Sequence, residues 1–357
     1  MKFVHIADMH FDSAFVNLSD KDILGDLRRL EQRKVFKKVI EYIKENSIPY
    51  LLISGDLYEH KYVKQSTIEY INNLFKEIPE TKIFISPGNH DPFVKNSYYN
   101  KYEWSKNVKI FSSKIEIVEG DNVDIYGYGF DDFYCTNSDI ENIQIKNKEK
   151  INILITHGTL DVVAIDDREY NTLKRKNLEK LGFDYIALGH IHKLDYSTNI
   201  VYPGSMISLG FDELGEHGMI VGNIEKNNLD LEFIQLDEET FREINLDITD
   251  IYSKEELIEK INELEIKDNE YIKIILTGNR NFEINKYEIL KYLTNERIIK
   301  IKNKTKIAYD LEKMSNNNTL KGLFARNMLE KLNENNDNLE EKEIIEKAIE
   351  VGLEALE

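Results

Sequence analysis

One cysteine, Cys135, stands in a chain of 357 residues. No intrachain disulfide can form, which excludes a disulfide-stapled fold and points to a reducing compartment. Proline is nearly as scarce, with five residues, while 41% of the chain is hydrophobic. That balance belongs to compact domains that bury a core, and it excludes a long disordered or proline-rich linker. Apolar runs that could cross a bilayer, which take roughly 20 residues, are missing too. Strand-like residues begin at Phe3 and leave no room ahead of them for a charged and apolar leader. A cytoplasmic chain without a membrane partner is expected. Positive charge is in deficit: 47 Lys and Arg face 65 Asp and Glu, a formal net charge of -18. Such a balance opposes nonspecific adhesion to nucleic acid, although bound divalent cations or a local basic patch reverse the field at one place.

What the chain does have is a repeated pattern of apolar runs with polar ends. Five short runs, Phe3 to Ala7, Tyr50 to Ser54, Lys82 to Ser86, Ile151 to Thr156 and Tyr185 to Leu188, read as buried strands. They lead into Asp8-Met9-His10, Gly55-Asp56, Gly88-Asn89-His90-Asp91, His157-Gly158 and Gly189-His190-Ile191-His192. Ligands of α/β sheets bind where strands end at their carboxyl edges, so these five ends point to one pocket. Carboxylate, imidazole and amide oxygen together suit manganese, iron, zinc or magnesium, and the lack of thiolates disfavours a soft-metal site. Two cations roughly 3.5 to 4 Å apart clamp the attacking and leaving oxygens of a phosphoryl group, and they need a bridging anion, for which Asp56 is the candidate. Any one of these histidines alone is more often structural. Clustered with carboxylates at a sheet edge, they would repel or desolvate one another without metal. Of the others, His5 reads as a hydrogen-bonded core residue, His217 as a turn residue and His60 as a surface residue.

From residue 1 to about 210, strand-like and helical runs alternate, as in an α/β core. The spacing predicts a helix over 26–45 and another over 66–77, with Pro79 as the break. Residues 218–236 read as a hairpin turning at Lys226-Asn227-Asn228, which would let a second sheet pack on the first. The expected fold is α/β, a two-sheet sandwich flanked by helices over residues 1–239, then a small α+β capping domain at 240–310 and a helical tail at 311–357. In the cap, Ser253-Lys254-Glu255-Glu256 has capping-box form. There too, Lys300, Lys302, Lys304 and Lys306 recur at period two opposite Ile299 and Ile301. Such a face either tracks a phosphate backbone or guards an edge strand against aggregation. The loop after Asp91, with Lys95, Tyr98, Tyr99, Tyr102 and Trp104, offers groups that stack on unpaired bases or fill a core. Apolar stripes in the tail, Leu320, Leu323, Phe324, Met328 and Leu329, then Ile344, Ile345, Ile349, Leu353 and Leu356, must pack against something.

The order Asp-x-His, Gly-Asp, Gly-Asn-His-Asp, His-Gly, Gly-His-x-His resembles the calcineurin-like metallophosphoesterase superfamily, and so does the expected sandwich. The resemblance implies that Asp8, His10, Asp56 and His192 hold one metal and that Asp56, Asn89, His157 and His190 hold the other. It implies that His90 is a non-ligand histidine that contacts the scissile phosphate and assists the leaving group, with Asp91 orienting its ring. Narrower likeness lies in His5-Ile6-Ala7-Asp8-Met9-His10, in Tyr202-Pro203-Gly204-Ser205, and in the tail segments from Lys321 to Leu329 and from Ala348 to Leu353. These are similar to the DNA repair exonucleases of the SbcD and YhaO-like type. That implies a DNA exonuclease or endonuclease with two divalent ions, Mn2+ first and Mg2+, Fe2+ or Zn2+ next. It also implies a coiled-coil ATPase partner of the SbcC or YhaN kind on the tail, and a homodimer. The chain departs from several of these nucleases in carrying Glu59 where they have a second histidine three positions after the bridging aspartate, with His60 displaced by one. The rival readings are a small-molecule phosphodiesterase or phosphatase with the same metals, and a non-catalytic scaffold.

Overall fold

The computed structural model describes residues 1–15, 18, 24–136, 138–161, 170–307, 311–335 and 338–356. Residues 308–310, where the capping domain is expected to end, lie outside the described residues, as do Asn336 and Asp337 in the expected break between tail helices. The chain splits into two compact units, Met1–Phe241 and Arg242–Glu357.

The strands of the first unit are β1 (Lys2–Ile6), β2 (Tyr50–Ile53), β3 (Lys82–Ile85), β4 (Val108–Ile110), β5 (Glu116–Glu119), β6 (Val123–Tyr128), β7 (Ile151–His157), β8 (Tyr185–Gly189), β9 (Ile200–Val201), β10 (Gly218–Glu225) and β11 (Asn228–Gln235). Its helices are α1 (Leu24–Glu45), α2 (Gln65–Lys76), α3 (Tyr98–Lys101) and α4 (Arg175–Leu181). One sheet runs β11-β10-β1-β2-β3-β4 and the other β5-β6-β7-β8-β9. β1 to β4 pair in parallel, as do β6 to β9, so the carboxyl ends of the motif-bearing strands line up within each sheet.

Parallel strands covered on both faces read as continuous apolar runs, and alternate side chains show which layer each face meets. Leu51 and Ile53 join the core under α1 and α2 with Val35, Phe36, Ile40 and Phe75. Leu52 faces the other way, into a core shared with Ile153, Ile155, Tyr185 and Ala187 of the second sheet. Leu154 and Ile186 turn outward to Leu178 of α4. The layers are therefore helix, sheet, sheet, helix, the two-sheet α/β sandwich that the sequence predicts.

The hairpin takes a different place from the expected one. β10 pairs antiparallel with β1, matching Val4 with Val221, and so extends the first sheet. β1 already has β2 on one side, and the hairpin closes its other, otherwise unpaired edge. The second sheet is built from strands between Glu116 and Val201.

The second unit contains β12 (Thr240–Asp247), β13 (Glu270–Thr277), β14 (Asn279–Arg280), β15 (Ile298–Asn303) and β16 (Lys306–Ile307), of which β12 begins two residues before the unit boundary. Its helices are α5 (Lys254–Asn262), α6 (Lys286–Tyr292), α7 (Leu311–Ser315), α8 (Leu320–Glu334) and α9 (Leu339–Glu354). Strands order as β12-β13-β15 and β14-β16 around a core of Ile248, Leu257, Ile272, Ile274, Ile289 and Ile298. At α5, Ser253 Oγ accepts from the Glu256 amide at 3.2 Å, while Glu256 Oε2 accepts from the Tyr252 amide at 2.9 Å, a capping box reaching one residue further back. The tail helices share a small core of Ile345, Ile349 and Leu353 with Met314, Phe324 and Met328.

Candidate metal centre

The ligand-bearing strand ends are backbone-strained. Asp8, His10, Asp56 and His190 have φ of 51°, 49°, 52° and 101°, a region that residues with a Cβ rarely adopt. Such strain persists only where the surroundings impose it and gathers at functional sites. Here the Asp8 amide donates to Gly55 O at 3.1 Å, the His10 amide to Asp56 O at 2.9 Å and the His190 amide to Asp8 Oδ1 at 3.0 Å. The first strand end is thereby laced both to the second and to β8 of the other sheet. Glycine is required where the sheets meet. A Cβ on Gly55 would lie 2.3 Å from His157 Nδ1, and one on Gly189 would lie 2.0 Å from Ser54 O.

These constraints bring the seven expected donors together in two groups. In one, His10 Nε2 lies 3.1 Å from His192 Nε2 and 3.7 Å from Asp56 Oδ2, and His192 Nε2 lies 3.8 Å from Asp8 Oδ1. In the other, Asn89 Oδ1 is 3.0 Å from both His157 Nε2 and His190 Nδ1, and those two nitrogens are 3.3 Å apart. Asp56 Oδ2 is also 3.3 Å from His157 Nε2. One oxygen of Asp56 thus faces both groups, as a bridge must.

The second ring nitrogens show which atoms carry protons. His10 Nδ1 meets Glu59 Oε1 at 2.8 Å, His192 Nδ1 meets Glu213 Oε1 at 2.5 Å and His157 Nδ1 meets Ser54 O at 2.8 Å. Carboxylates and carbonyls only accept, so each Nδ1 donates. When both rings are neutral, as ligation requires, His10 and His192 point bare Nε2 lone pairs at each other across 3.1 Å. A cation between them resolves that repulsion, and an acceptor on the far nitrogen is the usual support of a metal-binding imidazole. The donor set fits two divalent metal ions. Charge is divided among the rings: against burial, Glu213 and Asp8 raise His192 to about 9 and Asp56 and Asp8 raise His157 to about 9, so ligation takes a proton from each. Burial pushes the Asp56 carboxyl up, but His157, His10 and His90 outweigh it and hold it well below the usual range. Burial and the neighbouring His157 push His190 down to about 3, which keeps its ring neutral and able to ligate.

His90 lies beside both groups, and its ring is held by Glu59. Nδ1 donates to Glu59 Oε2 at 2.9 Å, and burial is outweighed by this bond and by Asp56, which raise the imidazole to about 9. The expected pairing of Asp91 with His90 is corrected by the structure. Asp91 is fully buried, and its oxygens accept from the amides of Asp56 (3.1 Å), Leu57 (2.7 Å) and Gly88 (2.7 Å) and from the Tyr99 hydroxyl (2.6 Å). It ties the Asp56 turn to the Gly88 turn from beneath, while the His90 ring faces out.

Glu59 and Glu213 are the residues that motif reading missed. Glu59 carried one signal, an acid three positions after Asp56 among Leu57 and Tyr58; Glu213, in a loop, carried none. His5 is a core residue as expected, between Tyr185 Oη (2.8 Å) and Ser54 Oγ (2.7 Å). His217 differs from the turn reading: it is buried, and its ring meets Ser205 Oγ and Glu213 O at 2.9 Å each. Among the aromatic residues after Asp91, Trp104 donates to Tyr98 O at 3.1 Å and packs on Phe75 and Tyr99, so this cluster serves the core. The lysine run does not stay on one strand: Lys300 and Lys302 lie on β15, which ends at Asn303, and Lys306 starts β16.

The family model for calcineurin-like phosphoesterase matches residues 1–194, more than half of the chain and all seven donors. The chain belongs to the calcineurin-like phosphoesterase family. Members of this family are phosphoester hydrolases. This phosphoesterase is 24% identical over 277 residues to the uncharacterized metallophosphoesterase YhaO of Bacillus subtilis, a match covering 74% of this chain and 67% of YhaO. It is 23% identical over 276 residues to the DNA double-strand break repair protein Mre11 of Methanopyrus kandleri, covering 66% of this chain but only 57% of that protein. Among solved structures, a dimetal phosphatase from Danio rerio is similar with a TM-score of 0.39 and 8% identity, covering 65% of this chain and 95% of the other. Among the described residues, no helix is long and apolar enough to cross a membrane.

Proposed function

We propose that this phosphoesterase hydrolyses phosphodiester bonds of DNA as a repair exonuclease or endonuclease, with Mn2+ as the ion in both sites. The observation that carries the reading is the convergence of all seven donors with His90 beside them. The Mre11 relative supports DNA as substrate. Exposed Lys302 and Lys304 in the second unit offer charge to a phosphate backbone against the overall acidity of the chain. Bound divalent ions supply Lewis acidity toward a phosphoryl oxygen and a water acidic enough to attack at neutral pH.

The chain's own residues supply the rest. Asp56 spaces the two donor groups, and His90 brings a proton to the departing oxygen. A water oxygen bonds to phosphorus as the bond to the leaving oxygen breaks. The electron pair of that bond stays on the leaving oxygen, which takes the His90 Nε2 proton, and the proton shed by the water restores the imidazolium.

In this reading residues 1–239 carry the chemistry, 240–310 form a capping domain and 311–357 form a docking tail. Leu320 and Ile344, 68% and 62% exposed, leave apolar surface on α8 and α9 for a coiled-coil ATPase of the SbcC or YhaN kind. The buried Cys135 thiol, which is in no disulfide, suits a cytoplasmic setting.

The test offers purified protein and Mn2+ to labelled single-stranded DNA, duplex DNA, cyclic nucleotides and a chromogenic phosphodiester. DNA shortening is expected, and His90→Gln should lower turnover by about 10²- to 10⁴-fold with metal content unchanged. Cleavage of cyclic nucleotides with DNA untouched would move the reading to a small-molecule phosphodiesterase, and equal loss of metal and turnover would refute the role of His90.

A further inference from the structure

β6 leads into a loop whose tip, Asp131-Asp132-Phe133-Tyr134, belongs to none of the five motifs. Phe133 and Tyr134 are 41% and 47% exposed, although the chain on either side of them is pinned against metal ligands. Before the tip, buried Phe130 donates its amide to Pro87 O at 2.9 Å and sets its ring edge to face against His157, with centroids 5.6 Å apart. After it, Cys135 O accepts from the Asn171 amide at 2.7 Å, and Tyr170, which bridges to Cys135, stacks on the His190 ring at 4.9 Å. Tyr134 lies 5.7 Å from Tyr170. Phe133 lies 5.7 Å from the ring of His60, whose amide donates to His90 O at 2.9 Å. One exposed ring therefore flanks the metal centre on its His190 side and the other on its His90 side.

Clustered aromatic rings left in water mark a contact surface, and charge decides what this one meets. Asp131 accepts from Ser113 Oγ at 2.6 Å and Asp132 from the Phe133 amide at 2.7 Å, and both acids are exposed. They repel phosphate. The rings beside them then serve the uncharged part of a nucleotide, its base, while the metal centre takes the phosphate. We propose that Phe133 and Tyr134 form a stacking platform for an unpaired base next to the scissile phosphate, which directs the site to single-stranded DNA. The inference rests on the reading of DNA as substrate. Bases in a duplex are already stacked on their neighbours, whereas an unpaired base is free to lie on an aromatic face whatever its identity. Stacking also needs no positive charge, which suits a chain with a net charge of -18.

The test uses the full chain at saturating Mn2+ with a short oligothymidylate and an abasic oligonucleotide of the same length, which keeps the phosphates and removes the bases. The readout is the ratio of kcat/KM on the first to kcat/KM on the second. In the wild type the ratio should be about 5 to 100, carried mainly by KM. With Phe133→Ala and Tyr134→Ala combined it should fall toward one, whereas Phe133→Tyr with Tyr134→Phe, which keeps both rings, should hold the wild-type ratio. A variant that lost activity through misfolding would lose it on both substrates and leave the ratio in place. An unchanged ratio in the double alanine variant therefore overturns the proposal, and so does a wild-type ratio near one. If the wild type cleaves neither oligonucleotide, the reading of DNA as substrate fails and this inference fails with it; if it cleaves both alike, only the inference fails.

Discussion

A Cβ on Gly189 would stand 2.0 Å from the Ser54 carbonyl oxygen and 3.0 Å from His157 Nδ1. The first neighbour is backbone and has no rotamer to yield. Gly189→Ala should therefore push the two sheets apart at the ligands, lowering Mn2+ affinity at least about tenfold and stability by about 1 to 3 kcal/mol. Calorimetric titration with Mn2+ beside thermal unfolding checks both, and wild-type affinity in the variant would contradict it. At this scale the ligands were legible because few residue types bind hard cations, and theirs recur at strand ends. Their supports were not. A lone acid such as Glu213 looks like any solvated loop residue until His192 is placed against it. Asp91 misled through adjacency: neighbours along a turn point to opposite sides, and Asp91 went under while His90 went out.

Arg28 shows how one helix secures the site from a distance. It is fully buried on α1; one Nη donates to Glu31, and the other to Ser208 O at 2.6 Å and Asp237 Oδ2 at 2.8 Å. Ser208 lies in the loop in which the Leu209 amide and Ser205 Oγ hold Glu213 Oε2, and Glu213 in turn holds His192. Removing the arginine strands Asp237 in the core. Arg28→Ala should cost about 3 to 5 kcal/mol in urea unfolding, and a loss under about 1 kcal/mol would place the pair among weak ones. The period of α1 was plain in the sequence, and the structure describes the helix from Leu24 to Glu45. The hairpin was legible as a hairpin but not by partner, since pairing depends on which strand edge is left open. The lysine alternation outran its strand because side-chain period alone cannot see that β15 stops at Asn303.

The whole first unit exists, in functional terms, to hold parallel strand ends from two sheets within reach of one another. Each sheet alone presents only part of the donors: Asp8, His10, Asp56 and Asn89 follow β1, β2 and β3, while His157 ends β7 and His190 and His192 follow β8. Alternation of strands and helices announced an α/β core, but the second sheet comes from strands between Glu116 and Val201 and not from the hairpin, and only packing shows the two sheets meeting at these ends. The net charge of -18 adds a reason for cations to bind, because carboxylates and bare imidazole lone pairs so close together are costly without them. The most direct measurement is the metal content per chain of active protein freed of loosely bound ions. Two ions per chain are expected, with Asp56→Asn losing occupancy in both sites together; full activity with one ion or none would contradict the paired centre.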